Sequence, residues 1–217
     1  MLDETEHNLK PSQVVADLYR AIHICRDTQR LTPIGYVVDI DGEGDSYFAQ
    51  FEACAKLAKA TKVVSLTVPS AELGSPFNGE VERLRELVRI AGVEGVLVSI
   101  KTEVGRFTED PATAMSLCQN VKGLGITLDP SHYICNPHGE VDYDQLLPMV
   151  YHVQLRDSKR DRFQVRVGQG EIEYGRLTTQ LARFNYNRGL VVQIVPDNET
   201  DHDTELRKLR LLLESLV

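Results

Sequence analysis

Gly123-Leu-Gly-Ile-Thr-Leu-Asp-Pro-Ser-His132 is an apolar run that stops abruptly at an acid, a proline and a histidine. Read as a strand over Leu124 to Asp129, it has no polar residue but Thr127 before Asp129, as expected of a strand covered on both faces. Strands on either side repeat the pattern. Gly95 to Thr102 is β-branched and apolar until Lys101, and Val150 to Arg156 ends in Arg156 and Asp157. Leu190 to Val195 carries the pair Val191-Val192. Further back, Ile34 to Ile40 and Lys62 to Val68 have the same character, with Val37-Val38 and Val63-Val64.

Helical stretches alternate with these runs: Ser46 to Ala60, Asn78 to Ala91, Asp110 to Asn120, the short Asp142 to Pro148, Tyr174 to Phe184, and Asp203 to Leu216. A helix over Pro11 to Thr28 precedes them, with Val14, Val15, Leu18, Ala21, Ile22 and Cys25 on one stripe and Ser12 as a candidate cap. Six strands, each followed by a helix, define an α/β chain built on a parallel sheet. Asp39, Lys101, Glu103, Asp129, Arg156 and Asp157 gather at strand C-termini, the edge that carries chemistry in β/α folds. With 217 residues, 42% hydrophobic, and no long linker or repeat, residues 1–217 read as a single domain.

The bulk properties exclude several classes. The net charge is -8, and no basic stripe interleaves with aromatics, so no nucleic-acid partner is expected. Apolar runs are strand-length, far below the roughly 20 residues of a membrane span, so no membrane partner is expected either. Met1 to Lys10 lacks the basic and apolar regions of a signal peptide. Cys25, Cys54, Cys118 and Cys135 are far apart and form no CxxC pair, which fits thiols in a reducing cytoplasm. Gly168-Gln169-Gly170 lacks the strand–GxGxxG–helix context of a dinucleotide site, and Asp41 to Asp45 lacks a calcium loop's twelfth-position ligand.

The ordered set of strand ends resembles the sugar phosphate isomerase/epimerase family of xylose isomerase-like TIM barrels. Gly123 to His132 is similar to its LDxxH strand end, and Ser99-Ile-Lys-Thr-Glu-Val-Gly105 to its acid-bearing strand. Tyr151-His-Val-Gln-Leu-Arg-Asp157 is similar to its HxHLRD strand. Val167-Gly-Gln-Gly-Glu-Ile-Glu-Tyr174 follows as a GxGxxD-like segment, and Leu190-Val-Val-Gln-Ile194 as the last strand. The resemblance implies a TIM-type (β/α) barrel truncated at its N-terminus to about six strands, the third to eighth of the family's barrel. Two missing strands leave an edge that the N-terminal helix or a second copy in a homo-oligomer would cover.

The resemblance also implies a place for a metal and for a ligand. The family's metal-binding Glu, Asp, His and Glu align with Lys101, Asp129, Gln154 and Gln193. A protonated Lys has no lone pair, and a Gln amide is a poor substitute for imidazole or carboxylate. No cofactor is therefore expected, with a divalent Mn, Zn, Co or Mg as the alternative. In that geometry, Lys101 takes the metal's space and pairs with Asp129, ringed by Gln154 and Gln193. His132 is the substrate-contacting histidine of the motif or a loop histidine bonded to backbone. His152 is a deeper-layer residue or a shifted ligand, and Glu103 a solvated residue or a substitute carboxylate. Arg156 and Arg166 are candidate anion contacts or rim ion pairs.

Catalytic candidates are thus Lys101, Asp129 and His132, and ligand contacts His132, His152, Gln154, Arg156 and Gln193. The expected partner is a small sugar or sugar-phosphate-like ligand. Two functions stand: a non-catalytic or small-molecule-binding relative without the metal, and an active isomerase or epimerase working metal-free or with a rearranged metal site.

Overall fold

The computed structural model describes residues 1–28, 31–196 and 201–216. Helices α1 (Pro11–Ala16) and α2 (Leu18–Arg26) come first. Then follow β1 (Gly35–Val37), α3 (Gly44–Ala60), β2 (Ser65–Pro69), α4 (Phe77–Val93), β3 (Leu97–Lys101), α5 (Pro111–Asn120) and β4 (Leu124–Leu128). A one-turn α6 (Ser131–Ile134) and a 3-10 helix (Asp144–Met149) lead to β5 (Val150–Leu155), α7 (Tyr174–Arg183), β6 (Leu190–Val192) and α8 (His202–Glu214). The strands form one six-stranded sheet in chain order, β1-β2-β3-β4-β5-β6. The register is parallel at β1–β2, β4–β5 and β5–β6. Sequential parallel strands joined by helices are the topology of a truncated (β/α) barrel.

The chain packs as two compact units, Met1–Ile100 with Leu117–Gly125, and Lys101–Ser116 with Ile126–Val217. In the first unit the inner positions of α3 and α4, among them Phe51, Leu57, Leu84 and Leu87, are fully buried, as are Leu66 on β2 and Val98 and Ile100 on β3. Each such side chain contributes roughly 1.5–3 kcal/mol by leaving water. In the second unit Ile126, Leu128, Val153 and Leu155 are buried strand residues, and Leu177, Leu181, Leu209 and Leu213 are the inner faces of α7 and α8.

The expected first helix, Pro11 to Thr28, is two helices. Asp17 breaks it with φ -151° and ψ 85°, and its carboxylate accepts the Arg20 N–H at 2.9 Å. A short acidic side chain that bonds its own backbone competes with a continuing helix, and here it caps a new one. Ser12 is not the cap of α1. Lys10 holds that position without a side-chain bond, and the Ser12 N–H and hydroxyl both bond to Glu4.

The edge of β1 is met by the N-terminal residues themselves and not by a helix. Leu2 bridges Val38 in parallel, donating its N–H to Val37 O at 2.8 Å and accepting the Asp39 N–H at 2.9 Å. Asp3 holds that segment in place by accepting the Thr5 N–H and hydroxyl and the Asn8 amide.

Candidate functional site

The polar residues of interest belong to the second unit, at the C-terminal ends of β3, β4 and β5. β4 delivers Asp129 one residue beyond its end. Its backbone is fixed by Thr102, whose hydroxyl accepts the Asp129 N–H at 2.8 Å. Pro130 then starts α6, and the turn returns Ser131 to its neighbour, so that Asp129 Oδ1 accepts both the N–H (3.2 Å) and the hydroxyl of Ser131. Asp129 is fully buried.

The other carboxylate oxygen has a cation. Arg156, one residue past the end of β5, donates from Nη2 to Asp129 Oδ2 at 2.9 Å, with its side chain only 4% exposed. The same Nη2 donates to Gln193 Oε1 at 3.3 Å. The register that sets Gln154 opposite Val191 on β6 brings those two ends side by side. His132, on α6, has Nε2 3.7 Å from Asp129 Oδ2, too far for a hydrogen bond. Its Nδ1 accepts the Val104 N–H at 3.2 Å, which fixes the neutral tautomer with the proton on Nε2. Burial is the main cause that lowers the His132 pKa, to about 4, aided by Lys101 and Arg156 and opposed by Asp129. Phe163 seals this group. Its ring centroid is 4.5 Å from the Arg156 guanidinium and 4.5 Å from the His132 ring.

Among the buried polar atoms without a hydrogen-bond partner are three in this group, His132 Nε2, Gln154 Oε1 and Arg156 Nε, and two beside it, Asp157 Oδ1 and Tyr174 OH. Leaving such atoms dry and unbonded costs roughly 1–3 kcal/mol each.

A second buried carboxylate, Asp157, works on the loop. Its Oδ2 accepts the N–H of Gly168 at 2.8 Å and of Gly170 at 2.9 Å. Its backbone carbonyl accepts the Val165 N–H at 2.9 Å. Ser158 adds a hydroxyl bond to Phe163 O at 2.7 Å. A Cβ at Gly170 would collide with the Asp157 carboxyl group and lie 2.8 Å from Ser158 N, so glycine is required by close approach. Gly168 is the tight-turn residue, with φ +90°. Tyr174 OH is buried near Asp157, whose charge, added to burial, drives the phenol's pKa up. The two glycines of the GxG thus tie down the segment that carries Phe163.

The expected Lys101–Asp129 pair is not formed. The ion-pair partner of Asp129 is Arg156, with the neutral His132 3.7 Å away, and Lys101 is not paired with it. A guanidinium two residues along from Gln154 reaches the carboxylate, and its Nη2 bonds both Asp129 and Gln193. Lys101 is half-buried at the end of β3, and its charge is one of the lesser causes that lower the His132 pKa. His152, buried on β5 opposite Thr127, has its pKa pushed down to about 4 by burial alone, as a deeper-layer residue would. Glu103 pairs with Arg106 at 3.2 Å in the loop after β3. Phe163 and Ser131 were not anticipated. Asp-x-Ser after a strand is the only signal for the second, and nothing in the sequence marks the first.

The fold has counterparts among known proteins. The family model described as xylose isomerase-like TIM barrel matches residues 38–212, and the chain belongs to that family. Its fold is shared by the apo 3-keto-D-glucoside 4-epimerase YcjR of E. coli, with TM-score 0.72, 17% identity, and coverage of 94% of this chain and 87% of that one. A D-tagatose 3-epimerase-like protein gives TM-score 0.70 at 18% identity, covering 98% and 86%. The IOLI protein with a bound zinc atom gives TM-score 0.71 at 14% identity, covering 95% and 84%. No curated protein sequence matches the chain at a significant level.

Proposed function

We propose that this chain is a metal-independent member of its family that binds a small sugar-like ligand at the C-terminal ends of β3 to β6. The observation that carries this reading is the state of Asp129. It is the one acid at the positions where the family resemblance places metal ligands, and both of its oxygens are already bonded, to Ser131 and to the Arg156 guanidinium. The other positions are Lys101, Gln154 and Gln193, which bring a cation and two neutral amides. Among the described residues no three His, Cys, Asp or Glu side chains converge. A divalent ion needs anionic or imidazole donors to leave water, so this donor set does not fit one.

The epimerases of similar fold suggest the ligand class, and the unpaired buried atoms His132 Nε2, Gln154 Oε1 and Arg156 Nε supply bonding capacity for it. The free thiols, with Cys54 and Cys118 raised to about 12 by burial, are in keeping with a reducing cytoplasm. With Leu2 on the β1 edge, a second copy of the chain would associate elsewhere, and sedimentation tests for it.

A second reading is favoured by one observation: a neutral histidine and a lysine lie at the same sheet edge. In a metal-free isomerase or epimerase, Lys101 and the His132 Nε2–H would polarise a carbonyl oxygen while a carboxylate base such as Glu103 takes the adjacent proton. The test is proton exchange into ketoses and aldoses in D2O containing EDTA, followed by NMR, beside calorimetric binding of the same sugars. The binding reading expects heat of binding without exchange. Exchange that disappears in His132→Ala would establish the enzyme instead.

A further inference from the structure

The reading above leaves open which group of the ligand meets the buried polar atoms. We propose that the ligand is a small hydroxylated carboxylate with a single negative charge, its carboxylate held by Lys101, His132 Nε2–H and Arg156 Nε–H, and a hydroxyl by Gln154 Oε1. This rests on the metal-independent binding reading.

Four observations carry it. The Val104 N–H on Nδ1 makes His132 Nε2 a donor, and that atom is buried without a partner. Arg156 can only donate. Its Nη2 is used by Asp129 and Gln193, and its Nε is unpaired. Lys101 adds an ammonium outside the ion pairs formed by Asp129. Of the unpaired atoms in this group two donate and one, Gln154 Oε1, accepts, and Lys101 adds to the donors; Asp157 Oδ1, the other unpaired acceptor nearby, lies by Tyr174 OH. A hydroxyl gives and takes equally, whereas a carboxylate only accepts, so this excess selects the carboxylate.

Charge points the same way. Of the two cations, Arg156 is paired with Asp129, and Lys101, in no ion pair among the described residues, is the one left for the ligand. A dianionic phosphate would exceed that one charge. Phe163, packed on both Arg156 and His132, is the side chain that must swing aside for the ligand to reach the dry atoms. Its ring then offers the ligand's carbon skeleton an apolar face.

The test is isothermal titration of the full chain in EDTA with C4 to C6 aldonates such as D-gluconate, with D-glucose and D-xylose, and with D-glucose 6-phosphate. Circular dichroism of each variant verifies its fold. At least one aldonate should bind tenfold or more tighter than its uncharged sugar. Lys101→Met should remove that preference and Lys101→Arg retain it. Uncharged sugars binding equally well, with Lys101→Met without effect, would overturn the carboxylate and leave the metal-free reading standing. Tighter binding of the phosphate would overturn the single charge. No heat with any aldonate at tens of millimolar would overturn the proposal. Binding that needs added manganese would overturn the reading beneath it.

Discussion

Arg156 Nη2 donates to Asp129 Oδ2 at 2.9 Å, and the two side chains are 4% and 0% exposed. The pair joins the ends of β4 and β5 in a place water does not reach. Removing one member of a buried pair strands the other, at a cost of about 3–5 kcal/mol. Asp129→Ala and Arg156→Met should each lose stability in that range by urea unfolding. The double variant should lose much less than both losses added, because neither charge is left alone. Additive losses would show that the two side chains do not depend on each other.

Gly170 makes a second, local prediction. Its substitution by alanine pushes a methyl group into the Asp157 carboxyl group, and overpacking of this kind costs about 1–3 kcal/mol. Asp157→Ala instead removes the acceptor of the Gly168 and Gly170 N–H groups. Both variants should release the segment holding Phe163, so limited proteolysis should cut between residues 158 and 170 faster than in the unaltered chain. Gly170→Ala with unchanged cleavage would contradict this role for Asp157.

Stability should fall with acid, and the sign follows from two histidines. His132 and His152 each have a folded pKa of about 4 against 6.5 for an ordinary histidine. Between those values the unfolded chain binds more protons, so stability is complete above pH 6.5 and declines as the pH falls towards 4. A shift of this size corresponds to about 3 kcal/mol for each histidine. Thermal midpoints at pH 7.5 and pH 5 should differ clearly, and His152→Phe should shrink the difference. An unchanged midpoint would show that these imidazoles protonate in the folded state as easily as in water.

Much of the fold is legible in the sequence because each strand is a short apolar block between helical stripes. β4 and β5 lie within one residue of their expected ends, and the lone acid at Asp129 stops its strand where expected. The outer strands, Gly35–Val37 and Leu190–Val192, are shorter than expected, although one more hydrogen bond follows each, from the Val38 N–H to Thr67 O and from the Gln193 N–H to Leu155 O. Asp17 shows what periodicity misses: apolar spacing carries on through a residue whose carboxylate prefers its own backbone. In the site, strand alternation places Lys101 and Gln154 at the correct edge but cannot rank cations by reach. Arg156 Nη2 reaches both Asp129 and Gln193, and the second contact is visible only once β5 and β6 are in register. Phe163 arrives from a loop and follows no period.

The substitutions at the strand ends can be tested by reversal. Lys101→Glu, Gln154→His and Gln193→Glu together restore the donor types of the family resemblance around Asp129. The triple variant should rise in thermal midpoint when manganese is added, and the unaltered chain should not. No metal-dependent rise in the triple variant would mean that these positions do not converge as the resemblance implies.

The most direct measurement is the metal content of the unaltered protein after dialysis against excess manganese or zinc and removal of free ion. With Asp129 bonded to Arg156 and Ser131, elemental analysis should find no stoichiometric metal, and Asp129→Ala should give the same value. About one equivalent per chain, lost in Asp129→Ala, would contradict the account.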